Sequence, residues 1–103
     1  MENITLTEAY YYILLSLFEP LHGYGIMQKV ETMSNGRLTL AAGTLYGALT
    51  SLIDKEWIEA LPQEKGSRKK EYIITDLGKE VAKIELKRLE ELVANGKKIM
   101  EVI

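Results

Sequence analysis

The chain has 103 residues, of which 47% are apolar and 27% charged, with two prolines and no cysteine. This length fits one compact domain, since natural domains cluster at about 100 to 150 residues, and the composition is that of a globular protein and not a disordered one. The absence of cysteine excludes disulfides and thiolate metal sites. The longest apolar stretch, residues 13–18, is far shorter than the roughly 20 residues that span a bilayer, so we expect a cytoplasmic protein with no membrane partner.

Apolar side chains at helical spacing predict four helices. The first is capped by Thr5 or Thr7 and ends at Pro20, and the second ends at residues 34–36. The third is predicted from Ala42 to Lys55. The fourth begins where Thr75 precedes Asp76, because a threonine hydroxyl accepts from a free N–H and an aspartate favours the positive helix end, and it continues to about Met100.

Shorter segments predict strands. Residues 38–40 alternate between apolar and polar side chains, as a brief strand does. Residues 57–61 and 71–75 are rich in aromatic and β-branched side chains and flank a polar segment, so they are predicted to form a hairpin. Trp57, at the start of that hairpin, is expected to pack against the third helix.

Charge is unevenly distributed. The formal net charge of −2 argues against nucleic-acid binding, because domains built for it often carry a basic excess. Residues 65–70, however, read Lys-Gly-Ser-Arg-Lys-Lys, with four cations in six positions. A charge run is usually a solvated loop, but at the tip of a hairpin beside the third helix it is a candidate for contact with phosphates.

The third helix carries the main functional signal. Its predicted inward face is Leu45, Leu49 and Leu52, and its outward face holds small or hydroxyl-bearing residues and one tyrosine: Thr44, Tyr46, Gly47, Thr50 and Ser51. Such a face fits a major groove about 12 Å wide. The helix start, Gly43 and Thr44, offers unpaired N–H groups that suit a phosphate. In the alternative, Thr44 is an ordinary first-turn residue and Tyr46 a half-buried aromatic, and these residues alone leave both interpretations open.

The last helix contains an apolar stripe. Its members recur at alternating steps of four and three residues, the spacing of helices that pair side by side: Ala82, Leu86, Leu89, Val93, Gly96, Met100 and Ile103. The alternative is that the stripe packs on its own domain, but a helix of about 25 residues, at ~1.5 Å per residue, extends beyond a small domain. We therefore expect these residues to form a homodimer interface.

Separated motifs in the same order resemble the PadR family of transcriptional regulators over residues 5–100. The motifs are Leu21-His22-Gly23-Tyr24, then Gly43-Thr44-Leu45-Tyr46 followed by Leu49 and Leu52, then Tyr72-Ile73-Ile74-Thr75 followed by Leu77 and Gly78. The resemblance implies a mainly helical α+β winged helix-turn-helix with a two-stranded wing, residues 1–75, and a long C-terminal dimerisation helix, residues 76–103, as in the short subgroup of the family. One departure is Ala41-Ala42, where relatives often have a polar cap and a proline.

The resemblance further implies that the third helix enters the major groove, the wing touches the backbone, and the chain is a regulator, a repressor in our interpretation, that binds an inverted repeat as a homodimer. The residues expected to contact double-stranded DNA are Tyr24, Gly43, Thr44, Tyr46, Gly47, Thr50, Ser51, Lys65, Arg68, Lys69 and Lys70. The alternative is a winged-helix module that binds proteins and not DNA, which the acidic composition suits.

Catalysis and small molecules receive less support from the sequence. His22 is the single histidine, so two-histidine metal sites are excluded. It lies beside Pro20 and Gly23 and is expected in a turn or cap, not in a serine triad. We predict no enzymatic activity, no metal and no cofactor. Some members of the family sense aromatic compounds, and Tyr10, Tyr11 and Tyr12 are candidates for stacking on such an effector; the alternative is that they serve the core and the surface.

Overall fold

The computed structural model describes residues 5–63, 65–66 and 69–100. The elements follow the predicted order, with one strand placed differently: α1 (Glu8–Ser16), β1 (Leu21–His22), α2 (Gly23–Met33), α3 (Ala42–Asp54), β2 (Ile58–Ala60), β3 (Glu71–Ile74) and α4 (Asp76–Met100). The strands form one antiparallel sheet in the order β1-β3-β2. We call the hairpin of β2 and β3, with its connecting loop, the wing.

Side chains cap three of the four helices. The hydroxyl oxygen of Thr7 accepts from the N–H of Tyr10 at 3.1 Å, Nδ1 of His22 accepts from Gly25 N–H at 3.1 Å, and the Thr75 hydroxyl accepts from Gly78 N–H at 3.0 Å. Each bond satisfies a donor that has no partner inside its helix. The capping roles predicted for the two threonines and the histidine are confirmed.

The strand predicted at residues 38–40 is absent. The Ser34 hydroxyl accepts from the N–H of Leu38 at 2.9 Å, so a side chain occupies the backbone donor that a strand would need, and Leu40 is buried as a single apolar anchor. The third strand is instead β1, in which Leu21 pairs with Tyr72. The predicted two-stranded wing is confirmed, and it belongs to a sheet of three strands.

The core lies between the first three helices, the sheet and the first half of α4. Its fully buried side chains come from all these elements, because each contributes one apolar stripe or face: Ile13, Leu14, Leu17, Ile26, Val30, Leu45, Leu49, Leu52, Ile58 and Val81. Trp57 packs against this cluster, which confirms its predicted packing role.

Helix α4 joins the wing at its start and projects from the core at its end. A Cβ atom on Gly78 would lie 2.0 Å from the carbonyl oxygen of Trp57, so the close approach requires glycine. The buried side chains of α4 end at Glu85, and the described part of the molecule is elongated, 59 × 32 × 20 Å.

Among the described residues, neither α4 nor any shorter helix combines the length and apolarity that a membrane crossing needs.

Candidate nucleic-acid interface

Helix α3 turns one face to the core and the other to solvent. Leu45, Ala48, Leu49 and Leu52 are buried. The opposite side, which we call the recognition face, is exposed at Thr44, Tyr46, Gly47 and Thr50 and half-buried at Ser51. The predicted division between inward and outward side chains is therefore confirmed, and no bulky side chain other than Tyr46 stands on the recognition face.

The start of α3 is open to solvent and carries no side-chain cap. Ala41 is the N-cap residue and makes no side-chain capping bond, as expected from the Ala41-Ala42 departure. Ala42, Gly43 and Thr44 are all exposed. Because the first N–H groups of a helix lack intrahelical acceptors, these donors face solvent at the positive end of the helix dipole, an arrangement that favours an anion such as a phosphate.

Tyr46 is turned toward the start of α2. A Cβ on Gly23 would lie 2.4 Å from the Tyr46 hydroxyl oxygen, so the ring packs on the glycine backbone while the residue remains 49% exposed. Burial raises the pKa of Tyr72, and the neighbouring Tyr46 adds to the effect. Tyr46 therefore joins α3 to α2 and β3. Tyr24, on the first turn of α2, is 62% exposed.

Two hydroxyl groups of the recognition face are engaged within α3. The Thr50 hydroxyl donates to the carbonyl oxygen of Tyr46 at 3.0 Å, and the Ser51 hydroxyl accepts from the Lys55 ammonium at 3.3 Å. The Thr50 proton is thus already used, and this side chain presents its methyl group and an oxygen lone pair to a partner. A methyl group is suited to contact with the methyl of thymine.

The wing carries cations on its loop. Lys65, Lys69 and Lys70 are exposed, and Gly66 has the positive φ of 87° that glycine adopts at no steric cost. Arg68 lies outside the described residues. The three described lysines are therefore accessible on the hairpin that follows α3.

The apolar stripe of α4 is divided between core and surface. Ala82 is buried in its own chain, Leu89 and Gly96 are half-buried, and the exposed members of the stripe are Leu86, Val93 and Met100. Ile103 lies outside the described residues. Two further exposed apolar side chains of α4, Leu92 and Ile99, were not included in the stripe predicted from the sequence. Their sequence signal was their position three residues after Leu89 and Gly96, which places them on the same side of the helix.

A cavity of about 300 Å³ lies between α1 and α4. It is lined by Leu6, Thr7, Glu8, Tyr11, Tyr12, Glu85, Arg88 and Leu89. Burial raises the pKa of Tyr11, with a smaller contribution from the negative charge of Glu85. Tyr10 lies elsewhere and packs against the core, so two of the three tyrosines predicted as candidates for stacking line the cavity.

A buried ion pair within α4 forms one wall of this cavity. The Arg88 guanidinium donates to both carboxylate oxygens of Glu85, at 2.8 and 2.7 Å, and Glu85 is 1% exposed. Arg88 lowers the pKa of Glu85 against the opposing effect of burial, and the N–H of Leu6 also bonds to the carboxylate. Sequence reasoning missed the pair, although its spacing of three residues in a helix was a usable signal.

A second ion pair holds the segment before α3. Arg37 donates to both carboxylate oxygens of Glu8 and lowers the pKa of that carboxyl. The pair fixes the connection between α2 and α3 to the first turn of α1. It is exposed on both sides, so its role is orientation more than stability.

A helix-turn-helix with an exposed second helix, followed by a cationic β-hairpin, defines a winged helix protein of the transcriptional-regulator class. The chain belongs to the transcriptional regulator PadR-like family, whose model matches residues 13–84.

Solved structures of other proteins share this fold. A PadR family transcriptional regulator from Eggerthella lenta has a TM-score of 0.74 and 23% identity over 91% of this chain and 82% of its own. A transcriptional regulator from Clostridium thermocellum has a TM-score of 0.73 and 20% identity over 90% and 92%. A PadR-like transcription factor from Bacteroides fragilis is 27% identical over 88% and 87%, with a TM-score of 0.67. The fold predicted from the sequence is confirmed.

A curated relative shares a part of the sequence. It is a 37.1 kDa protein in transposon TN4556 of Streptomyces fradiae, 42% identical over 62 residues, which are 60% of this chain and 17% of that protein. The chain therefore matches about a sixth of the length of this relative.

Proposed function

We propose that this chain is a sequence-specific repressor that binds an inverted-repeat operator as a homodimer. The observation that carries the proposal is the recognition face of α3, which is largely exposed and small in profile apart from Tyr46, with its one carboxylate, Asp54, at the end of the helix. It stands next to a cationic wing. A bulky or acidic face would exclude a duplex, whereas this one complements the floor of a major groove.

Two features supply sequence-independent affinity in this proposal. The uncapped start of α3, with exposed Gly43 and Thr44, donates backbone N–H groups to a phosphate. The wing lysines Lys65, Lys69 and Lys70 approach the phosphate backbone of the DNA. Contacts of this kind position a protein on the duplex and make its affinity depend on salt, but they do not read bases.

Sequence is read by the middle of α3. Gly47 leaves room for the edge of a base pair, and Thr50 offers a methyl group and an oxygen acceptor because its proton is donated to Tyr46. Tyr46, held against Gly23, sets the distance between α2 and the groove. Tyr24, on the exposed first turn of α2, contacts the backbone at the groove edge.

Dimerisation through α4 gives the operator its symmetry. The helix has 25 residues and is therefore about 37 Å long at ~1.5 Å per residue, and beyond Glu85 it has no buried side chain. Its exposed apolar side chains Leu86, Val93 and Met100 lie on one side and suit a second copy. Two recognition helices related by a twofold axis then read half-sites ~34 Å apart.

The cavity between α1 and α4 is the proposed effector site. Tyr11 and Tyr12 supply aromatic walls, and Leu89 connects the site to the apolar stripe of α4. A planar aromatic molecule that filled it would change the angle between α1 and α4, and with it the spacing of the two recognition helices. Isothermal titration calorimetry with a hydroxycinnamic acid tests the effector site. The same binding heat in the parent protein and in a Tyr11→Ala variant would contradict the proposed site.

The decisive experiment is a fluorescence-anisotropy titration of labelled duplex from upstream of the gene, with a scrambled duplex beside it, at ~50 and ~200 mM salt. Lys69→Ala with Lys70→Ala is expected to weaken binding to both duplexes and to lower the salt slope by about one unit per lost phosphate contact. The matched control replaces Lys87 and Lys98, on the opposite side of α4 from its apolar stripe, by alanine. No titratable binding at the lower salt would exclude the regulator and favour the protein-binding module.

A further inference from the structure

Strand β2 is an edge of the sheet with one side unpaired. In the order β1-β3-β2, the only strand of the described residues that pairs with β2 is β3. The N–H of Leu61 donates to the carbonyl of Glu71 at 2.8 Å, and the carbonyl of Trp57 accepts from Thr75 N–H at 3.0 Å. At both ends of β2, the backbone hydrogen-bonding groups of the odd-numbered residues thus point toward β3.

The even-numbered residues of β2 face the other way. Hydrogen-bonding direction alternates along an antiparallel strand, so the N–H and carbonyl groups of Ile58 and Ala60 point away from β3. No strand formed by the described residues pairs with them on that side. An unpaired edge of this kind is a template for a further extended segment.

A groove of about 490 Å³ follows this edge. It is lined by β2 itself, by Ile53 and Glu56 before the strand, and by residues 75–77, which directly follow β3. Its apolar surface comes from Ile53 at the end of α3, Ala60 on β2 and Leu77 on the first turn of α4, and both Ile53 and Leu77 are exposed. The groove thus combines backbone hydrogen-bonding groups with pockets for apolar side chains.

The charged side chains that line the groove are all acidic. They are Glu56, Glu59 and Asp76, and all three are exposed. The lysines that follow α3 and begin α4 are directed elsewhere, since the Lys55 ammonium lies over the Trp57 ring and that of Lys79 over Phe18. The groove therefore complements a cationic partner, in contrast to the lysines on the wing loop.

We propose that this groove binds an extended, basic segment of another protein by adding it as a strand to β2. The backbone of the segment pairs with Ile58 and Ala60, its alternate apolar side chains pack on Ile53 and Leu77, and its lysine or arginine side chains meet the three carboxylates. Strand addition of this type derives affinity from main-chain bonds and specificity from alternate side chains.

The test uses the purified chain and a labelled peptide in which three lysines alternate with two valines, with a peptide carrying glutamates in place of the lysines as comparison. We expect saturable binding of the basic peptide only, and slowed amide exchange at Ile58 and Ala60. Glu59→Lys with Asp76→Lys is expected to weaken binding about tenfold or more, because attraction becomes repulsion at two positions. Glu91→Lys, on an exposed part of α4 away from the groove, is the charge control.

A backbone variant separates strand addition from simple charge attraction. Ala60→Pro removes an N–H on the open side without removing a bond to β3, a position that edge strands tolerate, and circular dichroism is used to check that the variant folds. We expect this variant to lose peptide binding while it keeps its DNA affinity. Unchanged peptide binding in Ala60→Pro, equal loss in Glu91→Lys, or closure of the edge by a second copy of the chain in the absence of peptide would overturn the proposal.

Discussion

Gly78 illustrates how one residue fixes the junction between the wing and α4. Its position opposite the Trp57 carbonyl leaves no space for a side chain, and the obstacle is backbone, which cannot rotate away. Gly47, by contrast, has no atom within 4 Å of a Cβ position. The two helical glycines therefore differ in what alanine would do to stability.

We predict that Gly78→Ala destabilises the protein by about 3 kcal/mol, the upper range for an overpacked site. Gly47→Ala is expected to stabilise it by about 0.5–1 kcal/mol, because alanine is the better helix former and meets no neighbour. Urea unfolding at one fixed protein concentration measures both. Equal effects of the two substitutions would contradict the close approach of α4 to Trp57.

The Glu85–Arg88 pair makes a prediction about acid stability. The hydrogen-bonded Arg88 guanidinium holds the folded-state pKa of Glu85 below its ordinary value, so in the acid range the folded chain binds fewer protons than the unfolded one. The pair's contribution is therefore fully present above the unfolded pKa and is lost as pH falls through the folded one.

Glu85→Gln is expected to cost about 2 kcal/mol at neutral pH, the scale of hydrogen bonds to a charged group, and to flatten the decline of stability on the acid side. The pH series of urea midpoints measures this. Glu8→Gln removes a carboxylate whose pKa is also lowered but whose ion pair is exposed, so its effect should be smaller. A larger effect at Glu8 would count against the importance of burial.

At the scale of the element, α3 is a helix whose two faces have separate tasks. The buried leucines attach it to the core, while the recognition face, apart from Tyr46 on Gly23, makes few contacts with other elements. Substitution of the exposed Thr50 should consequently change DNA binding with little effect on folding.

Thr50→Leu is expected to weaken binding to the specific duplex by about tenfold to a hundredfold, the cost of disrupting one or two base contacts, and to leave binding to scrambled DNA unchanged. Thr32→Leu, an identical exchange at an exposed position near the end of α2, is the control. Anisotropy titrations on both duplexes decide the result. Equal losses on specific and scrambled DNA would show that Thr50 does not read sequence.

At the scale of the whole molecule, α4 belongs half to the core and half to a surface without a partner in the single chain. The exposed fractions of Val93 and Met100, 55% and 69%, are high for apolar side chains that lie along one side of a helix. Such a contiguous apolar surface is typical of an interface.

We predict that Val93→Glu converts the proposed dimer to a monomer and weakens binding to the proposed operator by at least about a hundredfold, because the two half-sites are then bound independently. Asn95→Glu adds the same charge at an exposed position of α4 outside the stripe and should leave the dimer intact. Sedimentation velocity and DNA titration measure the two effects. A parent protein that is monomeric at micromolar concentration would exclude this dimer.

The sequence by itself determined the helices, their caps and the inward face of α3, because these depend on spacing and on bonds between residues three or four apart, as at Thr7, His22 and Thr75. The tertiary structure alone decided that residues 21–22, and not 38–40, complete the sheet. A strand at residues 38–40 would need a partner strand from elsewhere in the chain, whereas the N–H of Leu38 already donates to the nearby Ser34 hydroxyl. The tertiary structure also decided that Tyr46 packs on Gly23 and that an acidic groove lies next to β2. Both features arise where segments far apart in sequence come into contact.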